Sequence, residues 1–141
     1  MNKEEYCAIE YLFGTAKINL FSVHLSTYRD ERILACKELN RIIGKIDKNE
    51  IIIVGGDFNV GVTRQGKGKY TFEKEEQYEE YEILGKKLKR LPNDEDTWFS
   101  KLGQGCIDTI FYSDNIQLLT YKTIDSENKS DHSAIYAEYN I

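Results

Sequence analysis

Proline, methionine and tryptophan each occur once in the 141 residues, and histidine only twice. A single proline excludes collagen-like repeats and proline-rich linkers. No apolar run approaches the ~20 residues that a membrane-spanning helix requires. The opening MNKEEYCAIE carries four charges, so an apolar leader is not expected there. Cysteine is scarce too. Cys7, Cys36 and Cys106 are odd in number and form no Cys-x-x-Cys, which argues against a disulfide framework or a zinc knuckle. They are expected as half-buried thiols of a reducing compartment, and so of a cytoplasmic protein. Positive charge is in deficit: 19 basic against 24 acidic residues leave −5. No global basic field recruits nucleic acid, and any such binding needs a local patch.

What is present suffices for one domain. A hydrophobic content of 40% with 12% aromatics belongs to a folded chain, not a disordered tail. At this length one core buries roughly two thirds of the unfolded surface, so neither staple nor metal is needed merely to fold. No internal repeat, low-complexity tract or linker divides the chain, and a single unit over residues 1–141 is expected.

Ala8 to Phe13 and Ala16 to His24 are β-rich runs joined at Gly14-Thr15, which predicts a hairpin. Both alternating faces of the second run are partly apolar, as in a strand covered on both sides. Thr27 to Asp30 has the spacing of a capping box, with Asp in place of Glu. Ile33, Leu39, Ile42, Ile43 and Ile46 then recur at helical intervals, with a stop expected within Gly44 to Glu50. Ile51 to Val54 is a short β-branched run, the mark of a buried strand. Residues 64–69 read as a basic, glycine-broken loop. A second helix is predicted from Glu73 to Leu91, with Tyr78, Tyr81, Leu84, Leu88 and Leu91 on one stripe. Six glutamates crowd its first half, and Lys86, Lys87, Lys89 and Arg90 its end, a polarity that suits the helix dipole and reads as a solvated face. Pro92 closes it. Strands are predicted at Ile107 to Tyr112, Gln117 to Thr123 and Ser133 to Tyr139.

Several polar residues stand where these strands end. His24 closes one run, Asp57 and Asn59 follow another, Asp108 opens the next, and Asp131 and His132 directly precede the last. Side chains at strand termini on a packed sheet are where sites assemble. Taken singly, each reads better as a turn residue or a cap, and Asp57-Phe58-Asn59 as an Asx turn.

Taken in order they resemble something specific. Val23-His24-Leu25, Gly56-Asp57-Phe58-Asn59, Ile107-Asp108-Thr109-Ile110-Phe111 and Ser130-Asp131-His132 look like successive motifs of the endonuclease/exonuclease/phosphatase (deoxyribonuclease I-like) family, with Asp96-Thr97-Trp98 as the usual lead-in. The resemblance runs from about Ala8 to Ile141. It implies an α+β fold, the C-terminal portion of a four-layer αββα sandwich. The family's front part, with an Asn-bearing strand and a Gln-Glu pair supplying a metal-binding Glu, has no counterpart upstream of Tyr6.

The resemblance also implies roles, and elementary chemistry makes sense of them. Phosphodiester hydrolysis needs an in-line water, a base near neutrality, and cations or donors facing the phosphoryl oxygens. By resemblance His132 is the base and Asp108 its orienting partner, Asp57 positions the water, Asn59 donates to the phosphate, and His24 contacts the phosphate or acts as acid. Asp131 is the expected ligand of Mg²⁺ or Mn²⁺, since hard cations favour oxygen. Arg64, Lys67 and Lys69 are candidate phosphate contacts, and Trp98 either stacks on a base or packs in the core. Nucleic acid is the first expectation for substrate, and a phospholipid or inositol phosphate the second. The alternative is a catalytically incomplete half domain serving binding or assembly. An uncovered sheet face predicts a homodimer or a second chain.

Overall fold

The computed structural model describes residues 6–141. Strands β1 (Tyr6–Phe13) and β2 (Ala16–His24) form the expected hairpin, turning at Gly14. Helix α1 (Arg29–Ile43) returns the chain to β3 (Ile51–Asp57), which lies parallel to β2. A small hairpin, β4 (Val62–Gly66) and β5 (Lys69–Phe72), precedes α2 (Glu79–Gly85) and the short β6 (Lys89–Arg90). A second small hairpin, β7 (Trp98–Ser100) and β8 (Gly103–Gly105), leads into β9 (Asp108–Tyr112). The chain ends in the hairpin β10 (Gln117–Ile124) and β11 (Ala134–Asn140). The principal sheet runs β1-β2-β3-β9-β6.

Alternation along the strands builds two cores. Phe21, Val23, Ile52, Val54 and Phe111 face one way, against Cys36, Leu39 and Ile43 of α1 and Ile83 and Leu84 of α2. Ile18, Ile51 and Tyr112 face the other way, where Ile116, Leu118 and Tyr139 cover them. The run Ile51 to Val54 is therefore apolar throughout because both its faces are packed. The layers are helices, five-stranded sheet, and the β10–β11 sheet. The last is anchored by the Tyr112–Tyr139 ring contact at 5.0 Å and by the Tyr121 hydroxyl, which donates to the Pro92 carbonyl at 3.4 Å.

Four expectations change. Glu73 to Leu91 is not one helix: α2 spans only its middle, and residues 89–90 join the sheet edge, pairing Lys89 with Tyr112 and Arg90 with Phe111. The leucine stripe is buried, but Leu91 N–H donates to the Ile110 carbonyl, so sheet pairing overrides helix propensity there. Residues 64–69 form a β-turn hairpin rather than a loop, with Gly68 at φ +69. Thr27 does not cap α1. Tyr28 holds the N-cap position with no side-chain bond, while the Ser26 hydroxyl takes the Tyr28 N–H and donates to Glu31. The thiols are not uniformly half-buried: Cys7 is exposed, Cys36 buried and Cys106 intermediate. Among the described residues no helix is long and apolar enough to cross a membrane.

Candidate active site

The site is a cross-strand row. His24 lies opposite Asp57 in the β2–β3 ladder, and Asp57 opposite Asp108 in the β3–β9 ladder. All three thus point from the same end of the sheet to the face away from the helices. A glycine makes this approach possible. Gly56 has φ +143, and a Cβ on it would stand 2.1 Å from the Val23 carbonyl oxygen. Only a residue without a side chain lets β3 reach this close beside the end of β2.

Beyond Asp57 the chain turns sharply. Asn59 N–H donates to Asp57 Oδ1 at 2.9 Å, the Asx turn read from the sequence, and Asn59 itself has φ +51. Its buried side-chain amide donates to the Leu25 carbonyl at 2.7 Å, which ties the ends of β2 and β3 together.

His132 arrives from the loop before β11. Trp98 and His132 form an isolated β-bridge, with Ser133 N–H on the Thr97 carbonyl at 2.7 Å and Phe99 N–H on the Asp131 carbonyl at 2.8 Å. His132 Nδ1 lies 2.8 Å from Asp108 Oδ2, and its Nε2 lies 3.8 Å from Asp57 Oδ2. His24 Nε2 approaches the same Asp57 oxygen at 3.5 Å from a far more exposed position. Asp57 therefore sits between two imidazoles, and Asp108 stands behind one of them.

The electrostatics follow from this packing. Burial raises the Asp57 carboxyl above its ordinary range, and the neighbouring Asp108 charge adds to that. The Asn59 N–H and the two imidazoles pull the other way without cancelling it. For His132, burial pulls the imidazole down, but the Asp108 hydrogen bond and the charges of Asp108, Asp57 and Asp131 together leave it raised. Cys106, pushed up to about 11 by burial, is no thiolate nucleophile at neutral pH.

Of the other residues singled out in the sequence, Asp131 is exposed, and its Oδ2 accepts the Trp98 indole N–H at 3.2 Å. Trp98 stacks on Phe72 with ring centroids 6.0 Å apart, joining β5 to β7. Arg64 lies 5.5 Å from the centre of the Tyr28 ring, and its side chain turns back to the Gly66 carbonyl at 3.3 Å. Lys67 and Lys69 are exposed at the tip of the β4–β5 hairpin. One residue was missed. Thr97 was noted only as part of a lead-in tripeptide, yet it is fully buried and its hydroxyl donates to Asp108 Oδ2 at 2.7 Å. A lone hydroxyl residue between an acidic turn and an aromatic strand is the only signal the sequence offers for it.

The carboxylates here offer oxygen ligands to a divalent cation. One ligand atom from each of Asp57, Asp108 and His132 lies within 4.8 Å of the others, and a cation would offset the cost of burial and the Asp108 charge that raise Asp57. Asp131 stands outside that group of three.

The comparisons agree with this fold. A family model described as Endonuclease-reverse transcriptase matches residues 18–136. No curated protein matches the chain. Among solved structures, D. rerio TDP2 complexed with single strand DNA product superposes with a TM-score of 0.68 at 16% identity, over 95% of this chain and 60% of that one. The endonuclease domain of TRAS1, a telomere-specific non-LTR retrotransposon, gives 0.67 at 17% identity, over 93% and 59%. A Bacteroides thetaiotaomicron mannosyl-6-phosphatase gives 0.57 at 19%, over 91% and 53%. This chain thus spans little more than half the length of these structures. The family match over most of its length, on the same sheet scaffold, makes the chain a member of the endonuclease/exonuclease/phosphatase family, within the branch described as Endonuclease-reverse transcriptase.

Proposed function

We propose that this chain carries the hydrolytic centre of a phosphodiesterase acting on nucleic acid. The observation that supports this best is the imidazole of His132, held by Asp108 at 2.8 Å with its other nitrogen turned to Asp57. In this reading a water bridges His132 Nε2 and Asp57 Oδ2, whose 3.8 Å separation leaves both within one-water reach. His132 takes the water's proton as the oxygen attacks phosphorus, and Asp108 steadies the imidazolium that forms. His24 faces the same space from the opposite side of Asp57 and meets the phosphate or the leaving oxygen. Asn59, bound to Leu25 through one N–H, has a second N–H for a phosphoryl oxygen. Of the group of three, Asp57 would hold a Mg²⁺ or Mn²⁺ ion, with Asp131 completing its ligands from outside and His132 left as the base; when bound, the ion offsets charge on the phosphoryl group.

Nucleic acid is favoured over a phospholipid or an inositol phosphate by two features. Arg64, Lys67 and Lys69 lie on the hairpin that directly follows the Asp57-Asn59 turn, where they suit successive phosphates. The neighbour solved with a single-strand DNA product and the retrotransposon endonuclease share the fold. The experiment is cleavage of a single-stranded oligonucleotide and of bis-p-nitrophenyl phosphate with added Mg²⁺ or Mn²⁺. Expected is metal-dependent cleavage that His132→Ala abolishes. Folded protein that cleaves neither compound, or an unimpaired His132→Ala, sinks the reading.

We infer a second property, assembly, from a separate observation. On the face opposite the helices, β10–β11 covers only part of the sheet. Ile9, Tyr11 and Phe13 of β1 are 57%, 54% and 62% exposed on that side, beside Leu20. β1 is an edge strand whose one charge, Glu10, pairs with Lys17 on its neighbour, so little defends it. A second copy or another polypeptide covering this face accounts for the pattern. Light scattering across a concentration series tests for self-association. A folded monomer that binds no apolar dye at any concentration refutes both forms.

A further inference from the structure

Backbone amides can only donate, and here that fixes the order of protons through the site. The N–H groups of Ile107 and Asp108 both reach Thr97 Oγ1, at 3.1 and 3.0 Å. They occupy the two lone pairs of that oxygen. Its single proton is therefore left for Asp108 Oδ2, at 2.7 Å. A carboxylate has no proton to give, so His132 Nδ1, 2.8 Å from the same oxygen, must carry one. In the neutral ring Nε2 is then bare, facing Asp57.

The same residue fixes the other end of the pair. The Thr97 carbonyl accepts the Ser133 N–H at 2.7 Å, and the bridge between Trp98 and His132 follows directly. One buried threonine thus holds the Asp108 carboxylate with its side chain and the His132 loop with its backbone. Phe99 N–H on the Asp131 carbonyl extends the clamp by one more bond.

We propose that Thr97 is the positioning residue of the His132–Asp108 pair, relaying the direction of two backbone N–H groups into the tautomer of His132. It touches no reacting atom and acts only through its two partners. Its effect on rate rests on the hydrolase reading, whereas the proton order rests on the geometry alone. Without the hydroxyl, the two amides lose their acceptor. The nearest replacement is the Asp108 carboxylate itself, which turns toward them and away from His132.

The test compares Thr97→Val with Thr97→Ser in the whole chain, without substrate or metal. Nitrogen NMR of labelled histidine, at a pH where the rings are neutral, reports which nitrogen holds the proton, and His24→Ala assigns the two signals. Expected are an Nδ1-protonated His132 in the wild type and Thr97→Ser, and loss of that preference in folded Thr97→Val. Where cleavage is measurable, Thr97→Val should lower kcat about 10–100-fold with KM within about twofold. A folded Thr97→Val with the wild-type tautomer overturns the proposal, as does a Thr97→Ser that loses it. Should Thr97→Val fail to fold, the wild type decides alone: a slowly exchanging Thr97 hydroxyl proton beside an Nδ1-protonated His132 supports the relay, and an Nε2-protonated ring overturns it. An inactive chain with the expected tautomer removes the hydrolase reading and leaves the relay standing.

Discussion

Arg32 is the residue whose replacement should cost the fold most, although it is charged and lies on a helix. Its side chain and that of Glu80 are 1% and 2% exposed, and Nε donates to Glu80 Oε1 at 3.1 Å. The remaining donors reach the Val62 carbonyl at 3.1 Å, the Ser26 carbonyl at 3.3 Å and the Thr63 hydroxyl at 3.2 Å. Arg32 therefore bolts α1 to α2, to the chain just after His24 and to the strand leaving the Asp57-Asn59 turn. Replacing it with Met strands a buried carboxylate, which costs about 3–5 kcal/mol. Two carbonyls lose their donor as well, at about 1–3 kcal/mol each if water cannot reach them. The sum approaches the whole stability of a domain this size, about 5–15 kcal/mol. Arg32→Met combined with Glu80→Leu removes the stranded charge and leaves only the carbonyls, so the double variant should recover about 3 kcal/mol relative to Arg32→Met. The exposed pair Arg29–Glu79, with side chains 46% and 47% exposed, is the control: Arg29→Met should cost no more than about 1 kcal/mol. Urea unfolding at neutral pH measures all three. An Arg32→Met cost below about 1.5 kcal/mol, or a double variant less stable than Arg32→Met, would refute the reasoning.

Three other outcomes are expected. Gly56→Ala drives a Cβ to within 2.1 Å of the Val23 carbonyl at an unfavourable φ, and should cost at least about 3 kcal/mol. Gly55→Ala, meeting Ile110 at 3.4 Å and the Thr109 carbonyl at 3.8 Å, should cost less than about 1 kcal/mol, and equal urea midpoints for the two would contradict this account. Asp57→Asn should abolish cleavage yet stabilise the fold. The native Asp57 carboxyl is raised, so its contribution is present below the unfolded value of 3.8 and lost as pH rises through the raised one. The advantage of Asp57→Asn should thus appear above that window and fade below it, and a variant less stable than wild type at pH 7 would reverse the sign. In cleavage, His132→Ala should lower kcat more than Arg64→Ala, because the base acts in the transition state while the hairpin mainly binds.

The strand ends were legible in the sequence for a physical reason. A buried strand is short, β-branched and apolar, and it stops abruptly at the first polar residue, as Val54 gives way to Gly55-Gly56-Asp57. His24, Asp57, Asp108 and His132 therefore stood out as termini before any contact was known. What stayed hidden depends on pairing between distant segments. Lys89 and Arg90 carry a helical stripe, yet they pair with Tyr112 and Phe111, separated from them by more than twenty residues of chain. Trp98 to Gly105 became a hairpin whose own strands are only three residues each, too short for periodicity to register. Glu80 read as part of a solvated face, and nothing marked Arg32, because each finds its partner only when two helices meet. Thr97 reads as an ordinary lead-in because its meaning lies in the direction of two backbone amides.

Register is what turns these residues into a site. His24, Asp57 and Asp108 occupy directly opposed positions on three neighbouring strands, one parallel pairing and one antiparallel. A slip of one residue in the β3–β9 ladder would pair Asp57 with a neighbour whose side chain belongs on the helix side, and the carboxylates would part. Three features hold the row in place. Gly56 packs against Val23 and Asn59 clamps Leu25 to the turn after Asp57, both tying β3 to the end of β2, and Thr97 gathers the amides of Ile107 and Asp108 onto one oxygen at the start of β9. Gly56 and Asn59 lie within two residues of Asp57, and Thr97 bonds the Asp108 carboxylate itself. The fold thus concentrates its backbone constraints where two acidic groups stand side by side and where burial, with the Asp108 charge added, raises the Asp57 carboxyl.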